Sequence, residues 1–234
     1  MSQAQTQPIE LYYWPTPNGF KVSIMLEELG VPYVLKLVNI GTGEQFQPDF
    51  LKIAPNNRMP AIIDFAGPDG EPISVFESGA ILKYLAEKFE KFYPKDWRAR
   101  VAVDEWLFWQ MGGFGPMLGQ NHHFSKYAPE KLPYAIKRYV DETHRLYGVL
   151  DRRLEGRDYV AGDYSIADMS IIGWSLGYEG QGINIDEFPN VKAWQKRLLD
   201  RPAVIAGLAV GKAEREKLNI ATDEEAKKVL FGQR

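Results

Sequence analysis

The chain has 234 residues, 45% of them apolar and 25% charged, a composition typical of a globular protein with one large domain or two small ones. Its 31 acidic and 28 basic residues leave a formal net charge of −3, so no nucleic-acid partner is expected. Cysteine is absent, which excludes disulfides, thiolate metal sites and a thiol nucleophile carried by the protein itself. With only three histidines, we expect no metal site of any kind.

The hydropathy of the chain gives no sign of export or of membrane insertion. No segment approaches 18 consecutive apolar residues, and the first seven residues are polar. We therefore expect neither a membrane span nor a signal peptide, and we expect a cytoplasmic location.

The first part of the chain alternates strand and helix patterns. Gly30 and Pro32 end the first helix, and the turn at Gly67–Gly70 joins the last two strands as a hairpin. The predicted order β-α-β-α-β-β-α consists of strands at Ile9–Trp14, Tyr33–Val38, Pro60–Phe65 and Pro72–Phe76, with helices at Val22–Leu29, around Pro48–Ile53 and from Ser78. This α+β order is that of a thioredoxin-like domain.

Strand patterns nearly vanish after the charged segment 89–97, which we interpret as a linker. Helices are predicted at Arg98–Met111, Tyr134–Leu154 and Asn190–Leu199, and Ser165–Asp168 resembles a capping box. We therefore predict a thioredoxin-like domain over residues 1–88 and an all-α domain over residues 98–234. A polar tail from about residue 212 is expected to fray.

Two short motifs of the first domain point to a peptide ligand. Pro60 at the first position of a strand favours a cis bond and leaves the backbone of Met59 able to pair with an extended peptide. Glu77 and Ser78 bring a carboxylate, a hydroxyl and helix N-terminal amides together. Together they suit a short zwitterionic peptide, although the same residues also fit a tight turn and an ordinary helix cap.

Thr16-Pro17-Asn18 begins the first helix, with Thr16 as N-cap and Pro17 at the first helical position. Taken alone, these residues form a well-made cap. In a thioredoxin-like fold, however, this turn lies where the reacting sulfur binds.

Several motifs in the same order resemble the cytosolic glutathione transferases, and more closely their nu class of bacterial glutathione-dependent disulfide-bond oxidoreductases. They are the turn at residues 16–19, Pro55-Asn56-Asn57, the strand-opening Pro60, Glu77-Ser78, the segments 107–113 and 115–124, and the capping box at 165–168. The resemblance runs from about Leu11 to Pro202.

The resemblance implies roles for individual residues. Thr16 and Asn18 would donate hydrogen bonds to the glutathione sulfur as catalytic residues. Gln45 would contact the glycine carboxylate, although a solvated loop glutamine is the simpler interpretation. The remaining residues implied to bind glutathione are Met59, Pro60, Glu77, Ser78 and Arg138, and Arg138 also fits a surface ion pair.

The activity implied by the resemblance is reduction of small disulfides with glutathione as co-substrate. Because the protein has no thiol, both thiols would come from glutathione, so the pocket would hold two glutathione molecules or one oxidised glutathione. Two alternatives stay open: glutathione transfer to electrophiles or reduction of hydroperoxides, and a non-catalytic glutathione-binding regulator like the fungal nitrogen regulator. A homodimer is expected from the resemblance.

Two features depart from the family pattern. Phe20 stands where histidine is usual in the bacterial members, and segment 177–186 is rich in glycine. Both bear on the second-substrate side of the pocket more than on the glutathione side.

Overall fold

The computed structural model describes residues 7–217 and 223–232. The chain divides into two compact units. The first, here called the sheet unit, consists of Met1–Glu90 and Ile205–Arg234, and the second, the helical unit, consists of Lys91–Val204.

The sheet unit is built on a four-stranded mixed sheet with the order β2-β1-β3-β4. Strands β1 and β2 are parallel, whereas β3 runs antiparallel to both β1 and β4. The elements in chain order are β1 (Ile9–Tyr13), α1 (Pro17–Leu29), β2 (Tyr33–Leu37), α2 (Pro48–Ile53), β3 (Ala61–Asp64), β4 (Ile73–Phe76) and α3 (Ser78–Phe89).

The strand register places three loop segments at one end of this sheet. Ala61, the first residue of β3, is paired with Tyr12 of β1 and with Phe76 of β4. The segments that follow β1, precede β3 and follow β4 therefore leave the sheet side by side. These segments contain Thr16, Pro60 and Glu77.

The end of the chain packs onto α1 of the sheet unit. The Ser23 hydroxyl donates to the Gly207 carbonyl at 2.8 Å. Gly207 lies so close to α1 that a Cβ on it would come within 2.5 Å of the Ile24 Cα. Glycine is therefore required at this crossing.

The expectation that the tail frays from about residue 212 is not met in the described part of that segment. Helix α10 (Lys212–Lys217) and helix α11 (Glu224–Phe231) are formed there. The Asp223 side chain caps α11 by accepting from the Ala226 N–H at 2.9 Å, and neighbouring lysine and glutamate side chains pair along the helix. The prediction of fraying was based on polar composition alone, which does not indicate this helix cap or these ion pairs.

The helical unit contains five helices and part of a sixth among the described residues. They are α4 (Trp97–Trp109), α5 (Gly115–His122), α6 (Pro133–Leu154), α7 (Ile166–Ser175), α8 (Pro189–Leu199) and α9 (Pro202–Ala209), of which α9 crosses the division between the units. Segments Gln110–Phe114 and His123–Tyr127 are π-helical and flank α5.

The capping box at the start of α7 is complete and buried. The Ser165 hydroxyl accepts from the Ala167 N–H, and Asp168 accepts from the Ser165 N–H at 3.1 Å. Asp168 also accepts from the Val160 N–H at 3.0 Å and from the Trp194 indole N–H at 2.9 Å. Burial raises the pKa of Asp168 to about 6, and these hydrogen bonds oppose the rise.

The architecture confirms the predicted fold class, a thioredoxin-like domain followed by an all-α region. The boundaries 1–88 and 98–234 stay a prediction, and the contacts place residues 205–234 with the sheet unit. Within residues 7–217 and 223–232, no helix combines the length and the apolar character that crossing a membrane requires.

Candidate active site

The turn that begins α1 is held by its own hydrogen bonds. Thr16 is the N-cap, and its hydroxyl oxygen accepts from the Gly19 N–H at 3.2 Å. The Thr16 hydroxyl also donates to the Trp14 carbonyl at 3.4 Å, a long bond that its hydrogen can leave for a better acceptor. Thr16 and Asn18 are both half-buried, so their polar groups remain within reach of a ligand.

Gly19 and Tyr13 bring this turn close to the end of β1. A Cβ on Gly19 would come within 2.3 Å of the Trp14 carbonyl oxygen and 2.8 Å of the Tyr13 ring. Tyr13 is fully buried, its hydroxyl donates to the Val210 carbonyl at 3.0 Å, and burial raises the pKa of its phenol well above the usual value. Tyr13 is therefore a structural residue and not a source of an acidic hydroxyl for the site.

The Met59–Pro60 peptide bond is cis, as the strand-opening proline predicted. Pro60 is buried and Met59 half-buried. Because β3 is an inner strand that pairs with β1 and β4, the backbone that can meet a ligand is that of Met59, just before the paired segment begins.

Glu77 has an unusual backbone at the start of α3. Its φ of 70° and ψ of 116° lie outside the regions that residues with a Cβ normally adopt. The side chain does not cap the helix, and Asn56 donates to its carboxylate at 3.3 Å instead. The exposed carboxylate and the first amides of α3 therefore face the same end of the sheet.

Lys21 is a buried lysine that none of the sequence motifs indicated. It lies on α1, is 1% exposed, and its ammonium donates to the Ser78 hydroxyl at 3.3 Å. Burial lowers the pKa of Lys21 to about 7, and the nearby Glu77 carboxylate opposes that shift. The sequence signal was a lysine between Phe20 and Val22, just before the apolar residues Ile24, Met25 and Leu26 of the same helix.

Gln45 is buried rather than solvated. It lies in the short 3-10 helix Glu44–Phe46 and is 1% exposed. Its amide nitrogen donates to the Ile40 carbonyl at 3.3 Å, while its amide oxygen is buried without a hydrogen-bond partner. A buried acceptor without a partner is costly, and a donor from a bound ligand would satisfy it.

Arg138 lies in the helical unit, on α6, and is exposed. It lines a surface cavity of about 550 Å³. Lys137 and Arg145, which share this cavity, each pair with a carboxylate of the same helix, whereas Arg138 makes no ion pair with another described residue. Its guanidinium is thus available to an anion.

The histidines do not form a metal site. His122 stacks on Trp174, and burial lowers the pKa of its imidazole to about 4, with Lys126 adding to the effect. Over the described parts of the chain, no group of three or more His, Asp or Glu side chains is arranged to hold a metal ion.

The sheet unit thus brings most of the predicted residues to one end of the sheet. Thr16, Pro60 and Glu77 lie in segments that leave the sheet at this end, and Lys21 joins α1 to Ser78. Phe20 is 5% exposed beside this turn, and the Arg215 guanidinium lies 5.7 Å from its ring centroid. A phenylalanine at this position is therefore explained by packing beneath α10.

The chain is similar to known glutathione transferases over most of its length. Residues 7–87 match the sequence model of the glutathione S-transferase N-terminal domain, and residues 116–202 match that of the C-terminal domain. The disulfide-bond oxidoreductase YfcG of Escherichia coli (strain K12) is 51% identical over 208 residues, which cover 88% of this chain and 96% of YfcG.

Solved structures of glutathione transferases are similar to this chain as well. A glutathione transferase from Burkholderia graminis, with two glutathione molecules bound per subunit, is 45% identical and superposes with a TM-score of 0.84, covering 90% of this chain and 91% of that one. One from Pseudomonas putida, with one glutathione disulfide bound per subunit, is 42% identical with a TM-score of 0.84, covering 89% and 94%. The resemblance found in the sequence is confirmed, and the chain belongs to the glutathione S-transferase family.

Proposed function

We propose that this protein is a glutathione-dependent disulfide-bond reductase that acts on small disulfides. The observation that carries the proposal is the end of the sheet at which the segments containing Thr16, Pro60 and Glu77 leave side by side, in a chain without cysteine. The similarity to YfcG and to transferases that bind two glutathiones or one glutathione disulfide supports it.

The residues present suit glutathione. The Glu77 carboxylate is a partner for the γ-glutamyl ammonium, and Ser78 with the first amides of α3 is a partner for the neighbouring carboxylate. The Met59 backbone pairs with the peptide, and the partnerless Gln45 oxygen accepts an N–H from it. Contact between Gln45 and the glycine carboxylate uses the second hydrogen of its amide nitrogen, whose first hydrogen bonds the Ile40 carbonyl.

The reaction needs two glutathione thiols per disulfide. The first thiolate attacks one sulfur of the substrate, forming a glutathione mixed disulfide and releasing one substrate thiolate, which takes up a proton. The second thiolate attacks the glutathione sulfur of the mixed disulfide, forming glutathione disulfide and releasing the other substrate thiol. Two glutathiones are oxidised as one disulfide is reduced.

Positioning contributes more to this reaction than acidity. Lowering a thiol pKa from about 8.5 to about 6.5 raises the thiolate fraction about 25-fold at pH 7 but lowers its nucleophilicity about eightfold. The net gain is about threefold. In the proposal, Thr16 and Asn18 therefore act mainly by holding the attacking sulfur in line with the disulfide.

Arg138, in this proposal, supplies a guanidinium to a glutathione carboxylate. The protein is further proposed to be cytoplasmic, since reduced glutathione is maintained in that compartment. It is also proposed to be a homodimer. Support for the dimer comes from large exposed apolar residues on one face of α4, namely Trp97, Val101 and Phe108, which are 75%, 41% and 63% exposed. Light scattering is expected to give twice the chain mass of 26.7 kDa.

The test is reduction of 2-hydroxyethyl disulfide by glutathione. Thr16→Val removes the hydroxyl at nearly constant shape and is expected to lower kcat by about ten- to a hundredfold, while Thr16→Ser retains activity. Asp96→Ala is the matched control, because it removes the N-cap of α4, where Asp96 accepts from the Ala99 N–H at 2.9 Å, and is expected to leave kcat unchanged.

Two outcomes would contradict the proposal. One is disulfide reduction no faster than with free glutathione, although glutathione binds. The other is turnover of chlorodinitrobenzene well above turnover of the disulfide, which would favour the transferase activity instead.

A further inference from the structure

Lys21 connects the two halves of the proposed site. It stands one helical turn after Asn18 on α1, and its ammonium donates to the hydroxyl of Ser78, the first residue of α3. Helices α1 and α3 pack against each other, so the link between them is short and buried. Ser78 is only 7% exposed.

Two opposing effects set the protonation state of Lys21. Burial removes its ammonium from water and lowers its pKa to about 7, so that the side chain is partly protonated at neutral pH. Glu77, at the start of α3, is the acid whose field favours the ammonium. On α1 itself, the acids Glu27 and Glu28 stand nearly two turns farther along the helix.

We propose that Lys21 is a positioning residue that gains a proton when the γ-glutamyl carboxylate of glutathione binds at Ser78. The inference rests on the proposed function, because it assumes that glutathione is the ligand of this site.

The charge of Lys21 affects how the Ser78 hydroxyl meets the ligand. An ammonium has three donors and no acceptor, so the Ser78 hydroxyl accepts from it and can turn its own hydrogen to the ligand carboxylate. A neutral amine, in contrast, can accept that hydrogen and turn it away from the ligand. Protonation of Lys21 therefore prepares Ser78 as a donor.

The ligand favours the same state. A carboxylate bound to the far side of the Ser78 hydroxyl lies about 6 Å from the ammonium, near enough to favour protonation by about tenfold or more. Glutathione should therefore bind about tenfold more weakly as the pH rises from about 6 to about 9, and binding at pH 7.5 should take up about half a proton.

The experiment is calorimetric titration of the full chain with S-methylglutathione, whose blocked sulfur does not titrate. Measurement at pH 7.5 in buffers of different ionisation enthalpy gives the number of protons taken up. Lys21→Met is expected to abolish uptake and to weaken binding about tenfold at pH 6.5, and Lys21→Arg is expected to restore affinity without pH dependence.

Lys36→Met is the matched control in the same unit, because it removes a half-buried lysine that pairs with Glu10. It should keep both the affinity and the proton uptake. The three histidines, which all lie in the helical unit, are retained in Lys21→Met. The difference in proton uptake between the wild-type protein and this variant therefore excludes any contribution from histidine.

The outcomes separate the two proposals. Binding by the wild-type protein without proton uptake, or equal uptake by Lys21→Met, overturns the role of Lys21 and leaves the proposed function intact. No binding of S-methylglutathione at any pH overturns both. The wild-type measurement alone decides the question if a variant does not fold.

Discussion

The starts of α3 and α7 both carry serine and an acidic residue, but they are built in opposite ways. At α7, Ser165 and Asp168 form a closed capping box whose carboxylate is fully buried and accepts from three neighbours. At α3, Glu77 is exposed, adopts a positive φ, and leaves its helix without a side-chain cap. One start is complete within the protein, and the other is arranged to be completed by a ligand.

The difference extends to the buried charges of the two units. Asp168 satisfies donors that would otherwise be buried without partners, so it stabilises the fold. Lys21 carries a charge into the sheet unit that burial opposes, so it weakens the fold while it serves the site. We therefore expect substitutions at these positions to change stability in opposite directions.

The largest effect is expected for Asp168→Ala. The Val160 and Ser165 N–H groups and the Trp194 indole lose their acceptor, which costs about 3 kcal/mol in the free energy of unfolding. Urea denaturation measures it, and Asp186→Ala is the control, since Asp186 makes only an exposed pair with Lys192 and should change stability by less than about 0.5 kcal/mol. Similar losses of stability in Asp168→Ala and Asp186→Ala would contradict the stabilising role of the buried capping box.

Lys21→Met is expected to stabilise the protein by about 2 kcal/mol at pH 6. The folded pKa of about 7 lies below the usual lysine pKa of 10.5, so the folded state binds fewer protons at Lys21 between these two pH values. Wild-type stability therefore rises with pH through that window relative to the variant, so the advantage of Lys21→Met shrinks as the pH rises. Denaturation at several pH values tests this, and an advantage that grows with pH would refute it.

The smallest effect is expected for Glu77→Gly. Glycine removes the strain of the positive φ and stabilises the protein by about 1 kcal/mol, while loss of the carboxylate weakens glutathione binding about tenfold. Glu90→Gly at the other end of α3, where φ is 52°, should give the same gain without any loss of affinity. If Glu90→Gly weakens glutathione binding as much as Glu77→Gly does, the proposal that Glu77 at the start of α3 binds glutathione is contradicted.

The sequence predicted the elements well because their signals are local. The four strands, the cis Pro60 and the capping box at Ser165 each follow from a few adjacent residues, and the structure contains all of them. The site residues proposed in the sheet unit also come from local motifs. Their placement side by side depends on the strand register, which the order of strands in a thioredoxin-like fold implies.

What the sequence could not show depends on partners far away in the chain. Lys21 would be exposed in an isolated helix, and its burial arises from the packing of α1 against distant elements such as α3. The glycine-rich segment 177–186 is likewise held by distant residues, since Asn121 donates to the Gln181 carbonyl and Tyr147 to the Gln181 side chain. The glycine content of this segment gave no sign of these long-range hydrogen bonds.

The crossing of Gly207 against Ile24 has a consequence for the order of events during synthesis. The helical unit has all of its residues once Val204 has been made, but the sheet unit still lacks the residues that pair with Ser23 and Tyr13. The part of the protein that leaves the ribosome first is thus completed last. A released chain that ends before residue 205 is expected to hold all the residues of the helical unit and a sheet unit that lacks the partners of Ser23 and Tyr13.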